Sequence, residues 1–330
     1  MDVYATLKEG SRIAPSSPAI LGASNIGRVI EYVKNDHPEL AFPIQIRYTR
    51  GLSRLVFYEN IDYVYSAKGN AEFLNQFKEA VNKYCRTDYE KVLYVHDFVI
   101  NSVEYDHKFI ETQIPDPSNH TALGVLDTGK GVCEGIARLT QLLLEAVGVE
   151  ALYCEGKSKH PTTAKIPGHA WNAVRIDGKY CYLDVSNDVC LTEKKLQRSY
   201  CYFCLPYREI AKDRIFDLDR EFRALNADTD EYSYFKRNGC LFSSVGDIRK
   251  WLDRKLAEAL SSRKDTLYLQ FKVDEGMLCD RSNSWEALCL SALYGALDSI
   301  NASRRKSKAD FDNKYSIDSL GTVAVKFTLG

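Results

Sequence analysis

The chain lacks an excess of charge. Its 330 residues carry 44 Lys and Arg against 45 Asp and Glu, a formal net charge of −1. The basic residues are scattered, so no strong positive field exists to recruit nucleic acid or an anionic membrane surface. The run Arg304-Arg305-Lys306-Ser307-Lys308 is too short to alter that. Nor does any segment approach the ~18 consecutive apolar residues of a membrane span. The first residues, Met1 to Glu9, hold no apolar stretch of the signal-peptide kind. With ten cysteines, that leads to the expectation of a cytoplasmic, reducing setting with free thiols. A leader removed earlier would leave the same view, and the chain would then be exported.

Metal spacing is missing too. Cys201-Tyr202-Phe203-Cys204 is a close pair, but Cys181 and Cys190 are too far apart to complete a zinc ribbon with it. Arg198 to Leu205 reads as a strand, and residues three apart on a strand face opposite sides. The acidic stretch from Asp217 to Glu231 lacks the glycine and the spacing of an EF-hand loop. No metal and no cofactor is expected.

What is present is a thiol in a prepared place. Cys133 lies in Gly131-Val132-Cys133-Glu134-Gly135, where an apolar helical pattern begins. Ile136, Leu139, Leu142, Leu143, Leu144, Ala146 and Val147 make the segment apolar on nearly every side, as in a buried helix. Gly148 reads as its stop. Cys133 then sits in the first turn, at the positive end of the helix dipole, which favours thiolate over thiol. Glycines 129, 131 and 135 leave room for a substrate backbone.

His169 and Asp184 are brought together by strand geometry. Ala170 to Ile176 and Lys179 to Val185 read as strands joined by Asp177-Gly178, a strong signal for a two-residue hairpin. That turn pairs Trp171 with Asp184 and His169 with Ser186. Side chains alternate, so all four share one face. His169 and Asp184 become diagonal neighbours with Cα atoms roughly 7–8 Å apart. A thiolate, an imidazole and an orienting carboxylate are what covalent attack on an amide needs.

The strings Gly-Val-Cys-Glu-Gly (131–135), Gly-His-Ala-Trp-Asn-Ala-Val (168–174) and Asp-Gly-Lys-Tyr-Cys-Tyr-Leu-Asp-Val (177–185) resemble the core of the transglutaminase-like superfamily. The lead-in from Asp88 through His96-Asp97 to Tyr105-Asp106 is similar to its bacterial branch, which is related to kyphoscoliosis-type peptidases and cytokinesis proteins. The resemblance is strongest from Asp88 to Asp188. It weakens towards Phe271, where Tyr232-Ser-Tyr234-Phe-Lys looks like that branch's C-terminal extension. It implies a papain-like fold with Cys133 as nucleophile, His169 as general acid/base and Asp184 as orienting residue. Relatives often follow the Asp with Thr-Trp-Asp, whereas this chain has Ser186-Asn187-Asp188.

Other residues carry weaker readings. Trp171 is a cleft wall or a core aromatic. Asn119 and His120 precede the Cys133 helix and are candidates to line the cleft or donate to an oxyanion. Ser186 joins them by sharing the His169 face. His96 reads as a helix-packing residue, and His107, His120 and His160 read as solvent-facing loop residues. Asn70 to Cys85 and Asp88 to Ser102 read as helices, the second opened by a Thr87/Glu90 capping box. His107 to Lys130 reads as a long loop with Pro115 and Pro117. Gly156 to Gly168 follows a strand near Ala151 to Glu155.

Helix-then-strand units recur outside the core: Ser24 to His37 with Pro43 to Tyr48, Ser243 to Leu260 with Leu267 to Phe271, and Ser282 to Ile300 with Thr322 to Phe327. They suggest one accessory lobe built from both termini. The expectation is an α+β protein: an N-terminal α/β segment (1–69), a papain-like transglutaminase core with a Cys-bearing helix on an antiparallel sheet bearing His and Asp (70–210), and a C-terminal α/β extension (211–330). The expected activity is cysteine-dependent amide hydrolysis or acyl transfer on a peptide or protein through a thioester. The alternative is an inactive scaffold that binds peptides or protein partners in the same cleft. Oligomeric state is not legible.

Overall fold

A computed structural model describes residues 13–15, 31–39, 45–48, 54–58, 66–112, 116–159, 168–195, 198–216, 225–278, 284–302, 309–311, 316–317 and 320–329. The chain divides into two compact units, Met1–Cys190 with Cys204–Thr229, and Leu191–Phe203 with Asp230–Gly330.

The first unit holds a small antiparallel sheet in the order Ile13–Pro15, Arg54–Tyr58, Gln45–Tyr48. Helices α1 (Ser66–Tyr84) and α2 (Asp88–Ser102) follow. The capping box that starts α2 is formed: Glu90 N–H donates to Thr87 Oγ1, and Thr87 N–H donates to Glu90 Oε2. Helix α3 (Cys133–Ala146) packs on a four-stranded antiparallel sheet. Its strands are β1 (Ala151–Ser158), β2 (His169–Ile176), β3 (Lys179–Leu183) and β4 (Arg214–Phe216), in the spatial order β3-β2-β1-β4. Ile136, Leu139, Leu143 and Leu144 of α3 are fully buried. Buried Asn172 of β2 donates from Nδ2 to the Ala137 carbonyl at 3.0 Å, which ties helix to sheet.

The hairpin takes the expected register. Asp177 and Gly178 both have positive φ, 48° and 82°, as a type I′ turn requires. Ile176 pairs with Lys179 and Asn172 with Leu183, so the next pair inward is Trp171 with Asp184. The strand expected to reach Val185 stops at Leu183, however, and helix α4 runs from Val185 to Lys195. The cause is Asp184 itself. Its Oδ1 accepts from the Asn187 N–H at 3.0 Å, as an N-cap does, and its carbonyl takes the first helical bond from Asp188 N–H.

Two other expectations need correction. The supposed loop from His107 to Lys130 is mostly helical: His107–Thr112, a 3₁₀ turn Pro117–His120, and Ala122–Thr128. Its caps were in the sequence. Asp116 precedes Pro117, Thr121 Oγ1 accepts from Gly124 N–H, and Gly129 ends the last helix at φ 68°. Arg198 to Leu205 is not a strand. It makes turns and a single bridge, Leu205 with Tyr182. Cys201 to Leu205 is buried throughout with no alternation, and Cys204 has φ 52°. A continuous apolar run of that kind cannot be assigned by period.

The second unit contains α5 (Val245–Ser261), β5 (Thr266–Val273), α6 (Trp285–Ala302) and β6 (Thr322–Thr328). Strands β5 and β6 pair antiparallel, and Ile248, Leu252, Leu293, Phe271 and Phe327 form part of its core. Both expected helix–strand units are there. The lobe expected from both termini is not one sheet: the N-terminal strands described pair among themselves, and so do the C-terminal ones. Residues 31–36 are helical; the rest of the helix expected from Ser24, and His160, lie outside the described residues.

Gly135 shows why the Cys133 motif needs glycine. A Cβ there would lie 2.2 Å from the Asn119 carbonyl oxygen, backbone that cannot yield because it accepts the Val132 N–H at 3.0 Å. Gly135→Ala is expected to cost about 1–3 kcal/mol by overpacking, read as a lower thermal midpoint. An unchanged midpoint would mean that α3 does not start against Asn119.

Candidate active site

Cys133 is the first residue of α3, partly exposed, with Val132 as N-cap. The capping residue has no side-chain bond to give, so the helix start is held instead by Val132 N–H on the Asn119 carbonyl. His169 opens β2 with its side chain 12% exposed, and Asp184 follows β3 fully buried. His169 Nε2 lies 2.6 Å from Asp184 Oδ2. The Cys133 thiol is among the groups that act on the same ring. The three residues named from the sequence therefore meet.

The Asp184 carboxylate is saturated. Oδ2 accepts from His169 and from Arg214 Nη2 and Nε, at 2.7 and 3.1 Å. Oδ1 accepts from Ser186 Oγ at 2.9 Å and from Asn187 N–H. Arg214 Nη1 bonds Asp213 Oδ2 at 2.6 Å. Burial alone would raise the Asp184 pKa, but His169 and Arg214 hold it well below the usual carboxylate range. Burial would lower that of His169, yet the Asp184 charge and hydrogen bond outweigh it and push it up to about 9.

Arg214 was not foreseen. It stands 30 residues beyond Asp184 in no motif, and reaches the site only because β4 pairs with β1, placing Arg214 opposite Ser158. Tyr105 was seen only as part of the lead-in. The two-residue strand Glu104–Tyr105 pairs in parallel with Lys130–Gly131, Tyr105 beside Gly131. The backbone and thiol of Cys133 are among the groups that act on its phenol. Burial, then the neighbouring Cys133 and Cys190 thiols, raise its pKa, so the phenol keeps its proton.

The remaining candidates fall around this centre rather than in it. Trp171 is 1% exposed; it stacks behind His169 at 5.9 Å and meets Phe216 edge-on at 4.9 Å. Asn119 is buried and donates from Nδ2 to Asp106 Oδ2 at 2.7 Å. His120 is half-buried, not solvent-facing, with Nδ1 3.0 Å from Glu134 Oε2 and its ring edge-on to Phe109. Ser186 sits on the first turn of α4, under Asp184, not across a strand from His169. His96 is fully buried between Asp188 (3.2 Å) and Asp97 (3.4 Å), a packing residue. Cys201 and Cys204 are fully buried and form no disulfide. Among the described residues no three His, Cys, Asp or Glu side chains converge as metal ligands do, and no helix is long and apolar enough to cross a membrane.

A Cys-bearing helix on a curled antiparallel sheet that supplies His and Asp is a transglutaminase-like fold, and residues 75–185 match the transglutaminase-like superfamily. That segment ends one residue past Asp184. Among curated proteins, the kyphoscoliosis peptidases of Homo sapiens and Mus musculus are 27% and 26% identical over 134 and 136 residues. Those matches cover 38% and 39% of this chain and 20% of each relative, so the chain spans about a fifth of the curated relatives' length. A solved structure described as a TGase superposes with a TM-score of 0.31 at 16% identity, over 57% of this chain and 53% of that one.

The His169–Asp184 pair has a pH signature. A histidine raised from an unfolded value of about 6.5 stabilises fully below that pH. The contribution is lost as pH rises through about 9, the folded value. The depressed Asp184 acts oppositely: its contribution is present above its unfolded pKa, about 3.9, and disappears under acid. In a Cys133→Ala background, so that the thiol does not titrate, unfolding free energy should fall between about pH 6.5 and 9. It should do so less with His169→Gln. Equal slopes in denaturant titrations of the two proteins would show that the pair is not formed.

Proposed function

We propose that the chain is a cysteine-dependent amide hydrolase acting on a peptide or protein through a thioester. The observation that carries this is the continuous link from Cys133 through His169 to a saturated Asp184, with His169 at 2.6 Å from the carboxylate. A histidine that keeps its proton at neutral pH supports a thiolate–imidazolium pair.

The thiolate of Cys133 attacks the amide carbonyl carbon, and the carbonyl electrons move to oxygen. As the tetrahedral intermediate collapses, the C–N bond breaks and the His169 proton passes to the departing amine. Neutral His169 then takes a proton from water, whose oxygen attacks the thioester. The C–S bond breaks to give a carboxylic acid and the thiolate. Asp184 fixes the imidazole tautomer, and Arg214 fixes Asp184.

Water rather than a second amine is the favoured acceptor. A crosslinking transferase needs an aromatic passage that excludes water. Trp171 packs behind His169 instead of facing a passage, and Asn187 stands where relatives often have Trp. The curated relatives carry the name peptidase.

Brief, sub-stoichiometric alkylation near neutral pH should mark Cys133 before the buried thiols Cys201 and Cys204; an unlabelled Cys133 would favour the inert peptide-binding scaffold. Cys133→Ala and His169→Ala should each nearly abolish turnover, and the double variant should be little worse than either. Additive losses would mean that the two residues do not share a mechanism. With a glutamine-containing peptide pool and a labelled amine, the acyl group should go to water. Efficient amine incorporation with little free acid would replace hydrolysis by transfer and leave the Cys133 chemistry standing.

A further inference from the structure

The two halves of the proposed reaction ask opposite things of His169. It must give a proton to the departing amine, then stand neutral to take one from water. A group of this kind works best when its pKa lies near the working pH. A buried carboxylate beside it pulls the other way, because the negative charge favours the imidazolium. Burial opposes the ring proton, yet the Asp184 charge and hydrogen bond push the His169 pKa up to about 9. A lone Asp184 would hold the proton more firmly still, and the thioester would wait for a base.

Asp184 is not alone. The oxygen that faces His169 Nε2 at 2.6 Å also accepts from Arg214 Nη2 at 2.7 Å and Nε at 3.1 Å. Both cations therefore reach for one atom, Oδ2, while Oδ1 is taken by Ser186 Oγ and the Asn187 N–H. Arg214 is buried and keeps its charge at any working pH. Its Nη1 donates to Asp213 Oδ2 at 2.6 Å, to the Asp213 carbonyl at 3.3 Å and to Ser158 Oγ at 3.4 Å. Among the groups that act on the His169 ring are Asp184 after β3 and the Cys133 thiol on α3. Asp213 and Arg214, at the junction of helix Tyr207–Asp213 with β4, act through Asp184. Asp188, one turn along α4, is turned to His96 instead. Two cations on one oxygen repel, and only the imidazolium can relieve this by losing its proton.

We infer that Arg214 is a positioning residue for the acid–base step: by sharing Asp184 Oδ2 with His169, it limits how firmly the carboxylate holds the imidazole proton, so that one histidine serves as acid in acylation and as base in deacylation. Asp213 sets how much of the Arg214 charge reaches Asp184. No proton leaves Arg214 or enters Asp184. The catalytic part of this role rests on the proposed Cys133 chemistry. The plainer possibility is that Arg214 only neutralises a buried carboxylate.

The test reads the His169 ring directly. In the full chain with Cys133→Ala, its NMR titration midpoint is followed, the signal being assigned by its loss in His169→Gln. Arg214→Gln should raise the midpoint by about one pH unit. Arg214→Lys, which keeps the charge, should stay near the parent. Asp213→Asn should lower it, because the Arg214 charge then falls more fully on Asp184. Opposite shifts from two neighbouring residues are not what a loss of packing gives. An unmoved or lowered midpoint in Arg214→Gln overturns the inference, and so does an unmoved or raised one in Asp213→Asn. Should Arg214→Gln fail to fold, Asp213→Asn and Arg214→Lys decide it. With Cys133 restored, the thioester formed from p-nitrophenyl acetate should hydrolyse about tenfold more slowly near pH 7 in Arg214→Gln. That deficit should close as pH rises; one that persists at high pH leaves Arg214 as a structural counterion. A parent chain that forms no thioester removes the Cys133 chemistry, and the catalytic role of Arg214 with it, even where the midpoints move.

Discussion

The structure around the thiol depends on where one buried carboxylate finds its hydrogen bonds. An ionised carboxylate taken out of water costs several kcal/mol unless each lone pair is met. Asp184 is fully buried and accepts from His169, Arg214, Ser186 and the Asn187 N–H. Those partners come from β2, from β4 and from the first turn of α4. Satisfying the charge therefore fixes three elements at once. It also explains why β3 stops at Leu183: the residue that orients the histidine is the residue that caps the next helix.

The thiol side is fixed by backbone instead. Val132 caps α3 without a polar side chain, and the Asn119 carbonyl does the holding, in a gap that only glycine at 135 leaves open. Asn172, buried on β2, bonds α3 at Ala137. The strand that delivers His169 is thereby clamped to the helix that delivers Cys133, one turn from the thiol. Precision at the site comes from this cross-tie more than from the packing of Leu139 and Leu143, which is non-directional.

Legibility followed the range of the interaction. The hairpin was readable because Asp177-Gly178 specifies turn and register within two residues, and register decides which side chains share a face. The start of α3 was readable from apolar period and flanking glycine. Arg214 and Tyr105 were not, because each arrives by strand pairing with a distant segment, β4 on β1 and 104–105 on 130–131. No spacing in the sequence encodes such a pairing. The region from 107 to 130 was misread for a different reason. Its prolines suggested loop, although Asp116-Pro117 and Thr121 with Gly129 are helix-cap signals, and helices this short leave too few residues for a periodic pattern.

Two of the histidine–carboxylate pairs in this unit have acidic members one helical turn apart, Asp184 and Asp188. Composition cannot tell them apart; exposure and the third partner can. His96 is fully buried between two carboxylates, with no route by which its proton could reach a substrate. It ties α2 to α4. His169 keeps a 12% exposed edge, and the partly exposed Cys133 thiol is among the groups that act on its ring. The same chemical pair is a strut in one place and an acid–base group in the other. The difference is made by topology: β2 begins with His169 at the site, whereas α2 carries His96 inside the core.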